Sequence, residues 1–164
     1  MIHFVFGPTG AGKSTYARQL AVDRSAIRFS VDEWMSTLFF PDIQGELTFE
    51  WAMTRVHRCE TQIWHITRQL LAQGTEVVLE ISMSTKQLRE KQIKLAETTQ
   101  LPYLLHYIDA EIDVRRTRVR HRNKQKGVTY SFDVDDDMFD FVEKMFEAPT
   151  GQELEGAECI RTHS

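Results

Sequence analysis

Gly7-Pro8-Thr9-Gly10-Ala11-Gly12-Lys13-Ser14 is a complete G-x-x-x-x-G-K-[ST] phosphate-binding loop, or P-loop. Its glycines let consecutive backbone N–H groups curl around phosphate oxygens with no Cβ in the way. Lys13 is placed to reach the β- and γ-phosphates of a nucleotide, and the Ser14 hydroxyl to ligate Mg²⁺. The flanks agree. Ile2-His3-Phe4-Val5-Phe6 is a short apolar run suited to a buried strand, and Ser14-Thr15-Tyr16-Ala17-Arg18-Gln19-Leu20 opens a helical pattern. The helix N-terminus adds its dipole to the anion site, so Gly7 through Thr15 reads as the nucleotide-binding stretch.

The whole 164-residue chain is 41% hydrophobic, which suits one domain over residues 1–164 with a full core. A net charge of −4 argues against a protein that coats nucleic acid. No run approaches the roughly eighteen apolar residues of a membrane span, and Lys13 interrupts any signal-like apolar region. Cys59 and Cys159 lie far apart and read as buried small hydrophobes rather than a disulfide. A cytoplasmic protein without a membrane partner is expected. Neither cysteine has the ligand spacing of a zinc site.

Outward from the loop, strands and helices alternate. Ala26–Ser30, Glu76–Ile81, Tyr103–Ile108 and the weaker Glu158–Arg161 read as further strands. The longest helical pattern covers about Phe49 to Gln73. There Ala52, Val56, Cys59, Ile63, Ile66 and Leu70 alternate steps of four and three, drawing one apolar stripe, and Gly74 ends the helix. Ser84-Thr85-Lys86-Gln87 has the form of a capping box. Strands separated by helices imply parallel pairing with right-handed crossovers, a three-layer α/β sheet. Ligands of such sheets sit at the carboxyl ends of the strands.

Three strand ends carry candidate chemistry. After the second strand stands Ser30-Val31-Asp32-Glu33. Asp32 there can face the γ-phosphate and take a proton from an acceptor hydroxyl, or Ser30 or Asp32 can cap a helix. Both readings hold open. The third strand ends in Glu80 behind Val77-Val78-Leu79, the shape of an element whose acid serves the Mg²⁺ shell, although aspartate is more usual. Glu80 acts there on the metal, through a water, or on the attacking group. After the fourth strand, residues 115–124 hold six cations and a histidine on a helical pattern. Arg118 and Arg122, four apart, share one face and can clamp transferring phosphates through their bidentate forks. A solvated face and a nucleic-acid patch are the competing readings.

Several look-alikes fail on specific residues. Asp42-Ile43-Gln44-Gly45 matches D-x-x-G, but Asn123-Lys124-Gln125-Lys126 ends in Lys126, which cannot accept hydrogen bonds from guanine. A GTPase is therefore not expected. Asp133–Asp137 suggests a calcium loop, yet its sixth position is Met138 where glycine is needed and its twelfth is Lys144. It reads instead as the acidic first turn of a helix carrying Met138, Val142, Met145 and Phe146. Trp34, Trp51 and Trp64 are expected to pack a core or cleft rather than stack a base.

Taken together, the chain resembles the small P-loop kinases that include zeta toxins, chloramphenicol phosphotransferase and the kinase half of polynucleotide kinases. Within them it looks most similar to bacterial predicted-kinase ATP-binding proteins. The resemblance runs through the P-loop, Ser30-x-Asp32, Leu79-Glu80, Lys86 and Arg89, Arg118-x-x-x-Arg122-Asn123, and Phe146-Glu147-Ala148-Pro149. It implies a five-stranded parallel P-loop NTPase core, ATP with Mg²⁺, and phosphoryl transfer to a hydroxyl. It further implies Asp32 as base and a mobile arginine-bearing lid around residues 115–130. The expected activity is transfer of the ATP γ-phosphate to a hydroxyl acceptor, with a small molecule favoured over nucleic acid. The alternatives are a 5′-hydroxyl nucleic-acid kinase and a nucleotide-gated ATPase module.

Overall fold

A computed structural model describes residues 1–163. Five strands form one all-parallel sheet with helices on both faces. The strands are β1 (Ile2–Phe6), β2 (Ile27–Ser30), β3 (Val77–Glu80), β4 (Tyr103–Asp109) and β5 (Glu158–Arg161), in the order β2-β3-β1-β4-β5. The helices are α1 (Lys13–Asp23), α2 (Val31–Leu38), α3 (Phe49–Ala72), α4 (Lys86–Thr98), α5 (Ile112–Gln125) and α6 (Asp136–Met145). This is the three-layer fold expected from the alternating pattern, with strand ends shifted by a residue or two.

β1 sits at the centre, paired to β3 on one side and β4 on the other. All five of its residues are buried, because helices cover both faces of a parallel sheet. One face carries Ile2, Phe4 and Phe6 into a core with Val77, Leu79, Ile63 and Trp64. The opposite face carries Val5, packed with Val78, Ile108, Ala17 and Leu20 under α1. The P-loop therefore leaves the most buried strand and enters a helix clamped to its own sheet.

The stripe on α3 serves two clusters. Val56 and Cys59 pack against Val31 and Met35 of α2, while Ile63 and Leu70 join the sheet. Gly74 ends the helix in a left-handed conformation (φ 79°), and Thr75 N–H bonds back to Leu70 O at 2.9 Å. Two expectations change in detail. Thr85, not Ser84, caps α4, accepting from Leu88 N–H at 3.3 Å. Cys59 is buried as expected, but Cys159 is exposed; both are free. Among the described residues, no helix is long and apolar enough to cross a membrane.

Candidate active site

The P-loop glycines are required by close backbone approach. A Cβ on Gly7 would lie 1.9 Å from Ile108 O, and one on Gly10 would lie 2.5 Å from Arg115 O. Gly12 is the N-cap of α1 in a left-handed conformation, with no side-chain cap and no acid in the first helical turn. The leading N–H groups of α1 are thus left without a side-chain partner, the arrangement that receives an anion. Lys13 folds back over the loop, donating to Pro8 O at 2.9 Å. Thr15 is exposed one residue beyond Ser14, in the same first turn.

Register carries the other candidates to this edge. Ser30 pairs with Glu80 across β2 and β3, so both strands end level beside the loop. Ser30 caps α2 through its side chain, accepting from Glu33 N–H at 3.4 Å. Asp32 is thereby released from capping and stands in the first turn of α2, open to water but ringed by protein. That surrounding protein desolvates its carboxyl and pushes the pKa up, against the pull of Lys13 and Arg122. Burial likewise draws the Lys13 ammonium down from its ordinary value, opposed by Asp32 and Glu80. Lys13, Asp32 and Arg122 are therefore near enough to shift one another's charge equilibria.

Glu80 is buried at the end of β3, and burial pushes its pKa up against the opposing charge of Arg28. Ser14 Oγ donates to Glu80 Oε1 at 2.8 Å. Hydroxyl and carboxylate are both hard oxygen donors, the protein share that Mg²⁺ takes when phosphates and waters complete its octahedron. Among the described residues no cluster of three or more His, Cys, Asp or Glu side chains is suited to a metal ion. The donor set fits a nucleotide-borne Mg²⁺ rather than an all-protein cage.

The two arginines of the α5 face separate. Arg122 is half-buried, its Nε without a hydrogen-bond partner among the described residues, and its charge couples to Asp32. Arg118 lies beside Gly12 and is engaged elsewhere: it donates to Thr162 Oγ1 and His163 O, both at 2.7 Å. Arg115 supports the loop from beneath, donating to Thr9 O at 3.3 Å and Ala110 O at 2.9 Å.

Other quoted motifs turn out to be struts. Arg89 is buried and donates to Glu147 O at 2.8 Å and Glu153 Oε1 at 2.7 Å, so it holds the Phe146–Pro149 segment against the start of α4. Asn123 donates to Val134 O and accepts from Val134 N–H, tying α5 to the approach of α6. Asp135 caps α6 through Met138 N–H at 2.8 Å, consistent with a helix start rather than a calcium loop. Trp64 is core, its Nε1 donating to Gln92 Oε1 at 2.9 Å, and Trp51 lies under the Arg55 guanidinium at 3.8 Å.

Two residues near the site escaped the sequence reading. Arg28 on β2 grips both Glu80 and Glu33, and Arg18 on α1 bridges Glu33 to Val128 O at 2.7 Å. An arginine inside an otherwise apolar strand was the available signal for Arg28. Arg18 offered none, because its partners come from distant segments.

The profile of the AAA domain family matches residues 2–149. No curated protein matches the chain at a significant level. Solved structures do. A candidate kinase from Chloroflexus aurantiacus j-10-fl superposes with a TM-score of 0.72 at 17% identity, covering 98% of this chain and 83% of that one. Kti12 from Chaetomium thermophilum, in complex with ADP-AlF3, gives 0.70 at 13% identity over 99% and 88%. A gluconokinase from Sinorhizobium meliloti 1021 gives 0.60 at 17% identity over 98% and 81%. Such identities establish a shared fold. With its P-loop, its strand order and a profile match over most of its length, the chain belongs to the AAA domain family, as a small P-loop protein of kinase-like fold.

Proposed function

We propose that the protein is an ATP- and Mg²⁺-dependent phosphotransferase that moves the γ-phosphate of ATP to a hydroxyl of a small-molecule acceptor. The supporting observation is the strand register at the carboxyl edge of the sheet. It sets Glu80, hydrogen-bonded to Ser14, and the Ser30 cap with Asp32 in the helical turn that follows, beside the P-loop, where Lys13 and Arg122 favour the ionised carboxylate. An ATPase needs phosphate-binding cations. A carboxylate in their midst, freed from capping by Ser30, is what an acceptor hydroxyl needs in addition.

In this reading the backbone N–H groups of the loop from Gly7 to Thr15, with Thr9 and Ala11 between the glycines, hold the phosphates. Pro8 lacks an N–H and contributes only its carbonyl, which steadies Lys13, and Lys13 reaches β and γ. Ser14 and Glu80 would hold Mg²⁺, which when bound supplies charge neutralisation on the phosphate oxygens. Asp32 orients the acceptor and takes its proton. Its raised pKa makes it a stronger base once ionised, and Lys13 and Arg122 keep the ionised form accessible. Arg122 faces the developing charge on the transferring group, with Arg118 flanking the loop.

The basic run of α5 supports a small acceptor over a nucleic-acid strand. Arg115 is paired with Glu143, Arg116 with Asp140, Arg120 with Asp136 and Lys126 with Asp133, so much of its charge is spent on neighbouring acids. The gluconokinase similarity suggests polyols as the first acceptors to try.

The decisive measurement is acceptor-stimulated ADP release across a panel of hydroxyl metabolites and oligonucleotides, with Asp32→Asn beside the native protein. The variant should bind ATP normally and lose transfer by about 10²- to 10⁴-fold. Near-native transfer in the variant would remove the base role, and ATP turnover that no acceptor stimulates would favour the ATPase reading.

A further inference from the structure

The two carboxylate oxygens of Glu80 have different partners. Oε1 receives the Ser14 hydroxyl at 2.8 Å. Oε2 is held by Arg28, whose Nε donates at 2.5 Å and whose Nη2 closes on the same oxygen. The third nitrogen, Nη1, is fixed by both oxygens of Glu33 at 3.0 and 3.1 Å. Arg28 and Glu80 side chains are only 10% and 8% exposed, so neither can relax into water. Glu33 is held in turn by Arg18. The guanidinium is therefore tethered at both ends, and Glu80 offers a single oxygen toward the P-loop.

We infer that Arg28 is a specificity-determining residue that confines Glu80 to one-oxygen ligation and so biases the nucleotide site toward Mg²⁺ and against Ca²⁺. The inference rests on Ser14 and Glu80 being the metal side of that site. Ca²⁺ gathers six to eight oxygens and readily takes a carboxylate in bidentate fashion, whereas Mg²⁺ keeps an octahedral shell with one or two protein oxygens. A carboxylate whose second oxygen is occupied by an arginine suits the smaller ion. The positive charge of Arg28 weakens both dications to a similar degree, since both carry the same charge. The ratio of the two affinities therefore reports the geometry.

The test uses the full chain with ADP, titrated calorimetrically with Mg²⁺ and with Ca²⁺. In Arg28→Met, Glu80 regains its second oxygen, and the ratio of the Ca²⁺ Kd to the Mg²⁺ Kd should fall by about tenfold. Arg28→Lys is a second variant that keeps the charge and the ion pair to Glu33 but loses the planar fork, and it should shift the ratio in the same direction by a smaller factor. An unchanged ratio in the folded variants overturns the inference while leaving the nucleotide site intact. ADP binding by the native protein that neither ion enhances overturns the Ser14–Glu80 assignment, and this inference with it.

Discussion

Arg115 of α5 and Glu143 of α6 are joined by two parallel hydrogen bonds, Nη1 to Oε2 at 2.6 Å and Nη2 to Oε1 at 2.7 Å. The same guanidinium reaches the P-loop through Thr9 O. One buried arginine thus couples the phosphate loop to α6. The pair holds the Glu143 carboxyl below its usual range. Because Arg115 is buried, removing its partner leaves an uncompensated charge. Glu143→Ala should cost on the order of 3 kcal/mol in urea unfolding, and Glu143→Gln less, since one acceptor oxygen remains. A loss below about 1 kcal/mol would show that the arginine finds other partners.

Acid should destabilise the protein in two steps. His3 Nδ1 lies 2.9 Å from His106 Nε2, both rings fully buried between β1, β4 and α1, and Tyr16 Oη lies 2.8 Å from His106 Nδ1. Burial, with Glu158 opposing and His3 assisting, draws the His106 pKa down to about 4. The unfolded chain binds that proton from about pH 6.5, so stability is lost as pH falls from 6.5 toward 4, by up to roughly 3 kcal/mol. Glu143 and Glu153, whose pKa values are lowered by arginine partners, add their losses only below the usual carboxylate range. A melting temperature flat between pH 6.5 and 5, followed by a drop only below the carboxylate range, would exclude the histidine step.

Two glycines with similar φ should respond very differently to alanine. Gly10 has φ 81° and a Cβ there meets Arg115 O at 2.5 Å, while Gly74 has φ 79° and open space around it. Gly74→Ala should cost only the left-handed backbone penalty, about 1–2 kcal/mol, with unchanged nucleotide affinity. Gly10→Ala must push the loop off an arginine that is pinned on both sides, so ADP affinity should fall by at least about a hundredfold. Equal effects of the two substitutions on ADP binding would refute the steric account.

Much of the fold was legible because its signals are local. β-branched runs, helical spacing and the terminating Gly74 each depend on residues within a turn or two, and they placed all five strands. The capping residue of α4 was misassigned by one position because Ser84 and Thr85 are equally good caps by type, and only the backbone path selects between them. The exposure of Cys159 was missed for a similar reason. A four-residue edge strand buries little of itself, and nothing in Glu158-Cys159-Ile160-Arg161 says it lies at the edge.

The site divides along the same line. By itself the sequence determined the phosphate loop, since its glycines, Lys13 and Ser14 are contiguous and their geometry is a property of one short segment. Its reading of Asp32, Glu80 and the basic helix identified residue types at strand ends but left each with more than one role. Only the tertiary structure decided which of them meet. Ser30 capped α2 and freed Asp32, Arg122 came within range of that carboxylate's charge while Arg118 was drawn to the end of β5, and Arg28 took one oxygen of Glu80. Those outcomes depend on strand register and on side chains arriving from segments as far as 151 residues apart in the chain, such as Thr162 and Ala11. Charge pairing acts through space, and local sequence pattern carries no record of it.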